Sequence, residues 1–416
     1  MVLSGSSPAP ELDPAPRGPL AGLLVADFSR ILAGPYATML LGDLGATVVK
    51  VESPAGDDTR TWMPPVHEGV ATYYLSVNRN KRSVVLDLKD EEDRRLAERL
   101  VERADVMIEN FRPGQLARYS LDWERVHARN PRCVMASITA FGSNGEGAGL
   151  PGYDLMVQAM SGLMSLTGDP EGPAMRSGIA VFDILAGLHA TVGILAALAE
   201  RERSGEGQHV EVSLMASALS GMANHTTAWV VGGVVPYRMG NAHPSLFPYE
   251  PLPTADGELV VIAGNDRQFR ALVDVLGVPE LAERPEFARN EDRTANREIL
   301  RPLLVERLRT RPAREWFDLL IARDVPCAPI LTVDDGVAMA ERLGLAPTVP
   351  VPSDQPSFPM VRHPIGLSRT PPRYDLAPPA LDQDGALVRR WLTEGAGQPM
   401  SGAAGQAGRA GTGTDQ

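Results

Sequence analysis

Residues 23–52 read LLVADFSRILAGPYATMLLGDLGATVVKVE. Two short apolar runs, LLVADF (Leu23 to Phe28) and TVVKVE (Thr47 to Glu52), flank the helix-like YATMLLGDLG, which is the spacing of a strand–helix–strand unit. Two more rounds follow. SVVLDL (Ser83 to Leu88) precedes the charged helix EEDRRLAERLVERA and the strand VMIEN, and CVMASI (Cys133 to Ile138) comes after a helical stretch over 116–130. Strands alternating with helices at this spacing predict an α/β chain whose large domain is Rossmann-like, with a mainly parallel sheet. In such sheets ligands meet the carboxyl ends of the strands, so the loops after Phe28, Glu52, Leu88, Asn110 and Ile138 are where chemistry is expected.

From Gly152 the pattern changes to apolar helix, over Leu155 to Leu166, Ala180 to Arg203 and Ala216 to Val231, interrupted by the strand-like QHVEVSL. A smaller α+β domain then begins near Pro248 with a turn signal, Asp256-Gly257, between two strands, and continues through helices over Arg267 to Leu276 and Asn296 to Arg323. The expected organisation is a disordered lead-in over 1–17, a large domain over 18–231 and a small domain over 232–330. A proline-punctuated return segment over 331–394, ending in a helix near Asp384 to Thr393, completes the large domain. A Gly/Ala-rich disordered tail covers 395–416.

Composition narrows the function. The chain has 416 residues, 44% hydrophobic and 22% charged, enough to bury a sizeable core. Its net charge of -12 argues against bulk attraction to nucleic acid or to an anionic membrane. Two cysteines without a CxxC, and seven scattered histidines, give no metal site and no disulfide framework, and a reducing cytoplasm is the expected compartment. No basic, apolar secretory leader opens the chain. Ile179 to Ala199 imitates a membrane span in length, but Asp183 and His189 within it favour a buried core helix. No GxxxxGK[ST], GxGxxG between strand and helix, GxSxG or HExxH is present, which disfavours ATPase, dinucleotide, α/β-hydrolase and zincin chemistry.

Asp183 is the most informative residue. It falls early in an apolar helix, with Arg176 and Glu200 as its nearest charged neighbours in sequence, so its carboxylate enters a core-like setting without a local ion partner. Two readings stay open: a structural acid bonded to helix amides, or a partly desolvated nucleophile. Asp154 is open in the same way, as the N-cap of its own helix or as a second carboxylate facing the same cleft. All three lysines, Lys50, Lys81 and Lys89, fall in one 40-residue stretch around the first strands. With Arg60 and the run Arg79-Asn80-Lys81-Arg82 they read either as solvated turns or as a site for a phosphate-bearing ligand.

The segments DFSRILAGPYATMLLGDLGATVVKVE, NRNKRSVVLDLK, ADVMIENFRPG, GYDLMVQAMSGLMSLTG, SGIAVFDILAGLHATVGILAAL and GQHVEVSL together resemble the class III CoA-transferases. That family includes formyl-CoA and carnitine CoA-transferases and shares its fold with α-methylacyl-CoA racemase. The resemblance runs from about Gly18 to Asp375 and implies an interlocked, ring-shaped homodimer. It places the catalytic aspartate at Asp183, whose carboxylate would attack an acyl-CoA thioester to give a mixed anhydride. The released CoA thiolate would then form an aspartyl-CoA thioester, from which an acceptor carboxylic acid takes the CoA. Succinyl-CoA is the expected type of donor, with coenzyme A as substrate and no further cofactor. Ile31, Leu32, Ala33, Lys89, Asn110, Phe111 and Arg118 fall in the family's CoA-contacting stretches, and Asp154 matches an acidic site near the thioester. GNAHPS (Gly240 to Ser245) replaces a glycine-rich loop, so His243 and Ser245 become acyl-site candidates and oxalate or formate is not the expected acid. The alternative within the resemblance is racemisation of a 2-methylacyl-CoA, with Asp154 exchanging the α-proton.

Overall fold

The computed structural model describes residues 12–13, 17–352 and 358–394. The chain divides into two compact units, one formed by 1–157, 179–221 and 348–416, the other by 158–178 and 222–347. The smaller unit thus begins earlier than the 232 expected from sequence, ends later than 330, and takes in the short stretch 158–178, which no change in composition announces.

The first unit is built on six strands: β1 Leu24–Asp27, β2 Thr47–Glu52, β3 Lys81–Val85, β4 Val106–Glu109, β5 Val134–Thr139 and β6 His209–Ser213. They pair in the order β3-β2-β1-β4-β5-β6, and every pairing is parallel. This is the doubly wound order, in which the crevice between β1 and β4 is the point where the winding reverses. β3 begins two residues before the expected Ser83, because Lys81 and Arg82 are neutralised in place by Asp27 and Asp384 and need not be left to solvent. The helices are α1 Ala33–Asp43, α2 Thr72–Ser76, α3 Glu91–Arg103, α4 Trp123–Arg129, α5 Asp154–Met160, α6 Val181–Ser204 and α7 Leu214–Gly221. The stretch 155–166 expected as one helix stops at Met160, and Gly162, with φ of +96°, separates it from Leu163–Leu166.

One core cluster under the sheet joins Ala26, Val49, Val84, Leu100 and Met107 to Val388 and Leu392 of the C-terminal helix Gly385–Glu394. The same cluster includes Leu12, whose carbonyl accepts from Arg82 Nε at 2.7 Å, while Asp13 pairs with Arg373 at 2.6 Å. The expectation of a disordered 1–17 is therefore corrected at these two residues: a buried leucine and two arginine contacts offset the entropy of ordering them. The remainder of that segment up to Pro16, and the expected tail over 395–416, lie outside the described residues.

α6 is the one described helix long and apolar enough to cross a membrane. Phe182, Ala186, Gly187, Ala190 and Ile194 give it a buried face, and Gly187 lies against α1. A Cβ on Gly187 would stand 2.6 Å from the Ala33 carbonyl oxygen and 3.3 Å from Tyr36 Cδ1, so the two helices approach as closely as they do only because residue 187 has no side chain.

The second unit centres on an antiparallel sheet of β7 Tyr249–Pro253, β8 Glu258–Ile262 and β9 Cys327–Pro329, with β8 in the middle. Helices α8 Asp266–Leu276, α9 Arg297–Leu308 and α10 Ala313–Ile321 pack on it through Leu259, Val261, Phe269, Leu304 and Trp316. The helix expected over Asn296 to Arg323 is split where Pro312 caps α10. A further helix, Val333–Arg342, occupies the segment expected as extended, since the prolines that suggested extension begin only at Pro347.

Gly187→Val should lower the stability of the protein by about 1–3 kcal/mol through overpacking against Ala33, read as a shift of the urea midpoint. Gly187→Ala should fall between that variant and the wild type. An unchanged midpoint in Gly187→Val would mean that α1 and α6 can separate without cost.

Candidate active site

β1 ends at Asp27, and the chain that leaves it, Ser29 to Ala33, is held from beneath by buried charge. Lys50 donates to the Ser29 carbonyl at 3.0 Å and to Asp57 Oδ2 at 2.9 Å. Lys81 donates to Asp27 Oδ2 at 3.1 Å, to the Pro35 carbonyl at 2.9 Å and to Asn78 Oδ1 at 3.0 Å. Thr38 Oγ1 adds a bond to Asp27 Oδ2 at 2.6 Å. Burial alone would raise the Asp27 and Asp57 carboxyls, but Lys81 and Lys50 hold Asp27, and Lys50 with the Thr59 amide and hydroxyl holds Asp57, below the usual carboxylate range. Lys81 itself is pulled down to about 8, since desolvation outweighs the Asp27 charge.

This settles the two readings of the basic stretch. Lys50 and Lys81 are fully buried in internal ion pairs, Arg79 pairs with Asp43 at 2.6 Å, and Arg60 pairs with Glu52 at 2.7 Å. These side chains are structural, and both readings, the solvated turn and the phosphate site, are corrected for them. Lys89 and Arg118 differ: both are exposed, and neither makes an ion pair among the described residues.

Ile31 adopts φ of +72°, a left-handed conformation that a β-branched residue takes only when its surroundings impose it. Its N–H donates to both Asp57 carboxylate oxygens at 3.3 Å. Across the crevice from β4, Asn110 Oδ1 accepts from Arg30 N at 3.0 Å and its Nδ2 donates to the Arg30 carbonyl at 2.7 Å. Asn110 therefore clasps the backbone of the loop that carries Ile31, Leu32 and Ala33. Phe111 packs on the core edge while its N–H donates to Glu109 Oε2 at 2.7 Å, and burial pushes the Glu109 carboxyl up to about 7.

On the other side of this loop stands the first turn of α6. Ala180, the cap position, supplies no side-chain bond, and the open amides are met from another element: Asp154 Oδ1 accepts from Phe182 N at 2.8 Å and from Asp183 N at 3.1 Å. Open in sequence as cap of its own helix or as a second carboxylate beside Asp183, Asp154 caps α6 from 28 positions away in the chain. Asp183, third residue of that helix, lies between Ala180 and Ile184. Those two side chains pack with Ile31, Leu32, Tyr36 and Tyr73 in one apolar cluster. Burial raises the Asp183 carboxyl to about 7, and the Asp154 charge adds to the rise. The helix N-terminus favours the charged form, yet desolvation and the second carboxylate prevail.

Tyr73 completes this group and was not singled out by sequence. Its phenol is pushed up to about 12 by burial, with the Asp183 and Asp154 charges contributing, and its ring meets Trp62 edge-on at 5.2 Å. The available signal was the aromatic pair Tyr73-Tyr74 just before the basic run, in a chain with 5% aromatic residues. His243 and Ser245 belong to the second unit, where His243 Nδ1 accepts from Ser245 N at 3.1 Å and the His243 ring meets Tyr249 at 5.0 Å.

The chemical capacity of the first-unit cluster is clear in kind. It holds one carboxylate in apolar surroundings, near half ionised at neutral pH, with its backbone fixed by a second carboxylate. A carboxyl whose folded-state pKa is raised stabilises the fold at low pH, and that contribution is lost as pH climbs from about 4 toward 7. Asp183→Asn should therefore melt above the wild type at pH 8, by the equivalent of a few kcal/mol on the order-of-magnitude scale. The gap should narrow toward zero by pH 4; equal melting temperatures at both pH values would place Asp183 in water.

Residues 20–385 match the sequence pattern of CoA-transferase family III. The chain is 41% identical over 384 residues to a succinate–glutarate CoA-transferase of Agrobacterium fabrum, covering 90% of this chain and 96% of that protein. It is 40% identical over 384 residues to an acetyl-CoA:oxalate CoA-transferase of Acetobacter aceti, covering 91% and 97%. Among solved structures, a CAIB/BAIF family protein from Brucella suis matches with a TM-score of 0.82 and 42% identity, covering 90% of this chain and all of that one. With the parallel sheet and the conserved length of the match, these relations leave one conclusion: the chain belongs to CoA-transferase family III and is an enzyme of CoA transfer.

Proposed function

We propose that this enzyme moves CoA from succinyl-CoA to a carboxylic acid acceptor through covalent intermediates on Asp183. The observation that carries the proposal is the setting of that carboxylate: third residue of α6, among Ala180, Ile184 and Tyr73, with a pKa raised to about 7. Desolvation raises the reactivity of the ionised form, and the bond from Asp183 N to Asp154 fixes where it points from. In the first step the Asp183 carboxylate attacks the thioester carbonyl, the C–S bond breaks, and a mixed anhydride and CoA thiolate result. The thiolate then attacks the aspartyl carbonyl and expels the donor acid, leaving an aspartyl-CoA thioester. The acceptor carboxylate repeats the sequence in reverse, ending as its CoA ester with Asp183 restored.

Coenzyme A enters as substrate, and the chemistry calls on no metal or redox group. Lys89 and Arg118 are the cations available to its phosphates. Ile31, Leu32 and Ala33 offer the backbone and apolar edge along which the pantetheine arm runs, and Phe111 the aromatic face for the adenine. The dicarboxylates in the names of two relatives, glutarate and oxalate, support a dicarboxylic acceptor. The oxalate relative also returns oxalate to the acids worth assaying, although the loop Gly240 to Ser245 argues against it. The alternative, α-proton exchange at Asp154, would assign a base role to a carboxylate already holding two backbone amides at 2.8 and 3.1 Å.

Incubation with succinyl-CoA followed by hydroxylamine should convert Asp183 to a hydroxamate detectable by peptide mass, and Asp183→Ala should lose turnover by at least about 10³-fold. Full turnover in that variant would end the covalent mechanism. Deuterium appearing at the α-carbon of a 2-methylacyl-CoA without any acceptor acid would favour racemisation instead.

An interlocked homodimer is part of the same proposal. In the second unit Trp229, Val230, Val231, Val234 and Val235 are exposed together, a larger apolar run than a monomer ordinarily leaves to water. Light scattering should give twice the 44.6 kDa of one chain, with no shift on dilution to nanomolar concentration; a monomeric mass would remove this element.

A further inference from the structure

Glu109, the last residue of β4, is buried and takes no part in the chemistry assigned to Asp183. It directly precedes Asn110, which clasps the Arg30 backbone, and its Oε2 accepts from Phe111 N at 2.7 Å. Its other bond runs sideways across the sheet. In the parallel register Glu109 stands opposite Ser137 of β5, and the Ser137 hydroxyl donates to its carboxylate. Ser137 Oγ in turn lies 2.9 Å from Nε2 of His209, the first residue of β6. The His209 ring stacks on Trp123 of α4 at 5.5 Å. An acid, a hydroxyl and an imidazole thus form one chain of bonds across three adjacent strands, all of them in the first unit.

Such a chain has two states, because a hydroxyl carries one proton. With Glu109 ionised, Ser137 donates to the carboxylate and its oxygen accepts from His209 Nε2–H. With Glu109 protonated, the carboxyl donates to Ser137 Oγ, and the hydroxyl proton turns to a bare His209 Nε2. The bond from the Phe111 amide is weaker in this second state, since an N–H bonds a carboxylate more strongly than a neutral carboxyl. The surroundings bring both states close to neutral pH. Burial pushes the Glu109 carboxyl up to about 7, against the Ser137 hydroxyl and the Phe111 amide, and no charged side chain is among the groups acting on it. Burial holds His209 below its usual value, with Glu211 of its own strand and Glu124 of α4 opposing, so the imidazole is mainly neutral where Glu109 titrates. The other titratable groups packed here are His127, which stacks on Trp123 at 4.7 Å, and Tyr119 against the same core.

We propose that Glu109 is a proton-sensitive positioning residue for Asn110 and Phe111, and that Ser137 and His209 reverse their hydrogen bonds when it changes state. The ionised form fixes the Phe111 amide, and uptake of one proton from solvent loosens it, with no covalent bond to carbon made or broken. The proposal rests on the reading of Phe111 as the adenine face given above and adds to it a control of CoA affinity by pH. Since the ionised form is the one that holds the rim, CoA binds tightly above the Glu109 midpoint and more weakly below it.

The test uses the full chain as Asp183→Ala, which removes the carboxyl that titrates over the same range. The probe is dephospho-CoA, which lacks the 3′-phosphate monoester whose second pKa is about 6. Calorimetric titration should give a Kd about threefold to tenfold higher at pH 6 than at pH 8. Glu109→Gln, an isostere of the protonated form, should show the higher Kd at both pH values. Ser137→Ala removes a donor that favours the carboxylate, so it should move the midpoint of the Kd profile up by about half to one unit, a shift that lost packing alone would not cause. Nitrogen-15 spectra of histidine-labelled protein, with His209 assigned by its absence in His209→Phe, should show its proton pass from Nε2 to Nδ1 as the pH falls through the same range. In Glu109→Gln it should stay on Nδ1 throughout. A Kd independent of pH in the parent overturns the proposal, as does a His209 tautomer that never changes. Phe111→Ala separates the two readings. An unchanged Kd in that variant ends the adenine reading and this proposal with it, whereas a raised Kd alongside pH-independent binding in the parent refutes this proposal alone.

Discussion

The loop that carries Ile31 and Leu32 is held in place by charge buried beneath the carboxyl edge of the sheet. Lys50 and Lys81 are both sealed from water, and between them they join Asp27, Asp57, Asn78 and the carbonyls of Ser29 and Pro35. Such pairs are poor sources of net stability, because the attraction does little more than offset the loss of hydration. Their effect is geometric. Removing one member leaves the other charged and unpaired in the core, a state about 3–5 kcal/mol worse, so the network tolerates only the arrangement in which all members meet. Asp57, fixed in this way, in turn holds the strained backbone of Ile31.

Two further constraints converge on the same place. Gly187 lets α6 lie against the start of α1, and Asp154 supplies the cap that Ala180 cannot. Together they set the first turn of α6 beside the loop from β1, which is where the doubly wound order opens its crevice between β1 and β4. Asp183 inherits its properties from that position. Its neighbours on the helix are apolar, its amide is bonded to another carboxylate, and its charged form carries the resulting penalty.

Asn110 ties two elements together through its side-chain amide. Its amide oxygen and amide nitrogen are both engaged by the Arg30 backbone, so the β4 end and the β1 loop move as one piece. Phe111 next to it packs against the edge of the core, and burial raises the carboxyl of Glu109 behind it to about 7. The crevice is thus closed at its base by backbone-directed bonds and left apolar at its rim.

Local patterning determined much of the first unit. The alternation of apolar and amphipathic runs gave all six parallel strands and α6 to within a few residues, because side-chain periodicity records which face is covered. The motifs around Asp183 were equally legible, since the resemblance they carry spans most of the chain. What sequence could not determine was the partner of each charged group. Lys50 and Lys81, read either as solvated turns or as ligand donors, are internal counter-ions; Asp154, read either as the cap of its own helix or as a second carboxylate, caps α6. Tyr73 gave only the faint signal of an aromatic pair ahead of the basic run. A charge in a sequence is only a charge, and whether it is buried, paired or left facing a cavity depends on residues tens to hundreds of positions away. Those neighbours are chosen by the packing of sheet and helices, and so only the tertiary structure assigns them.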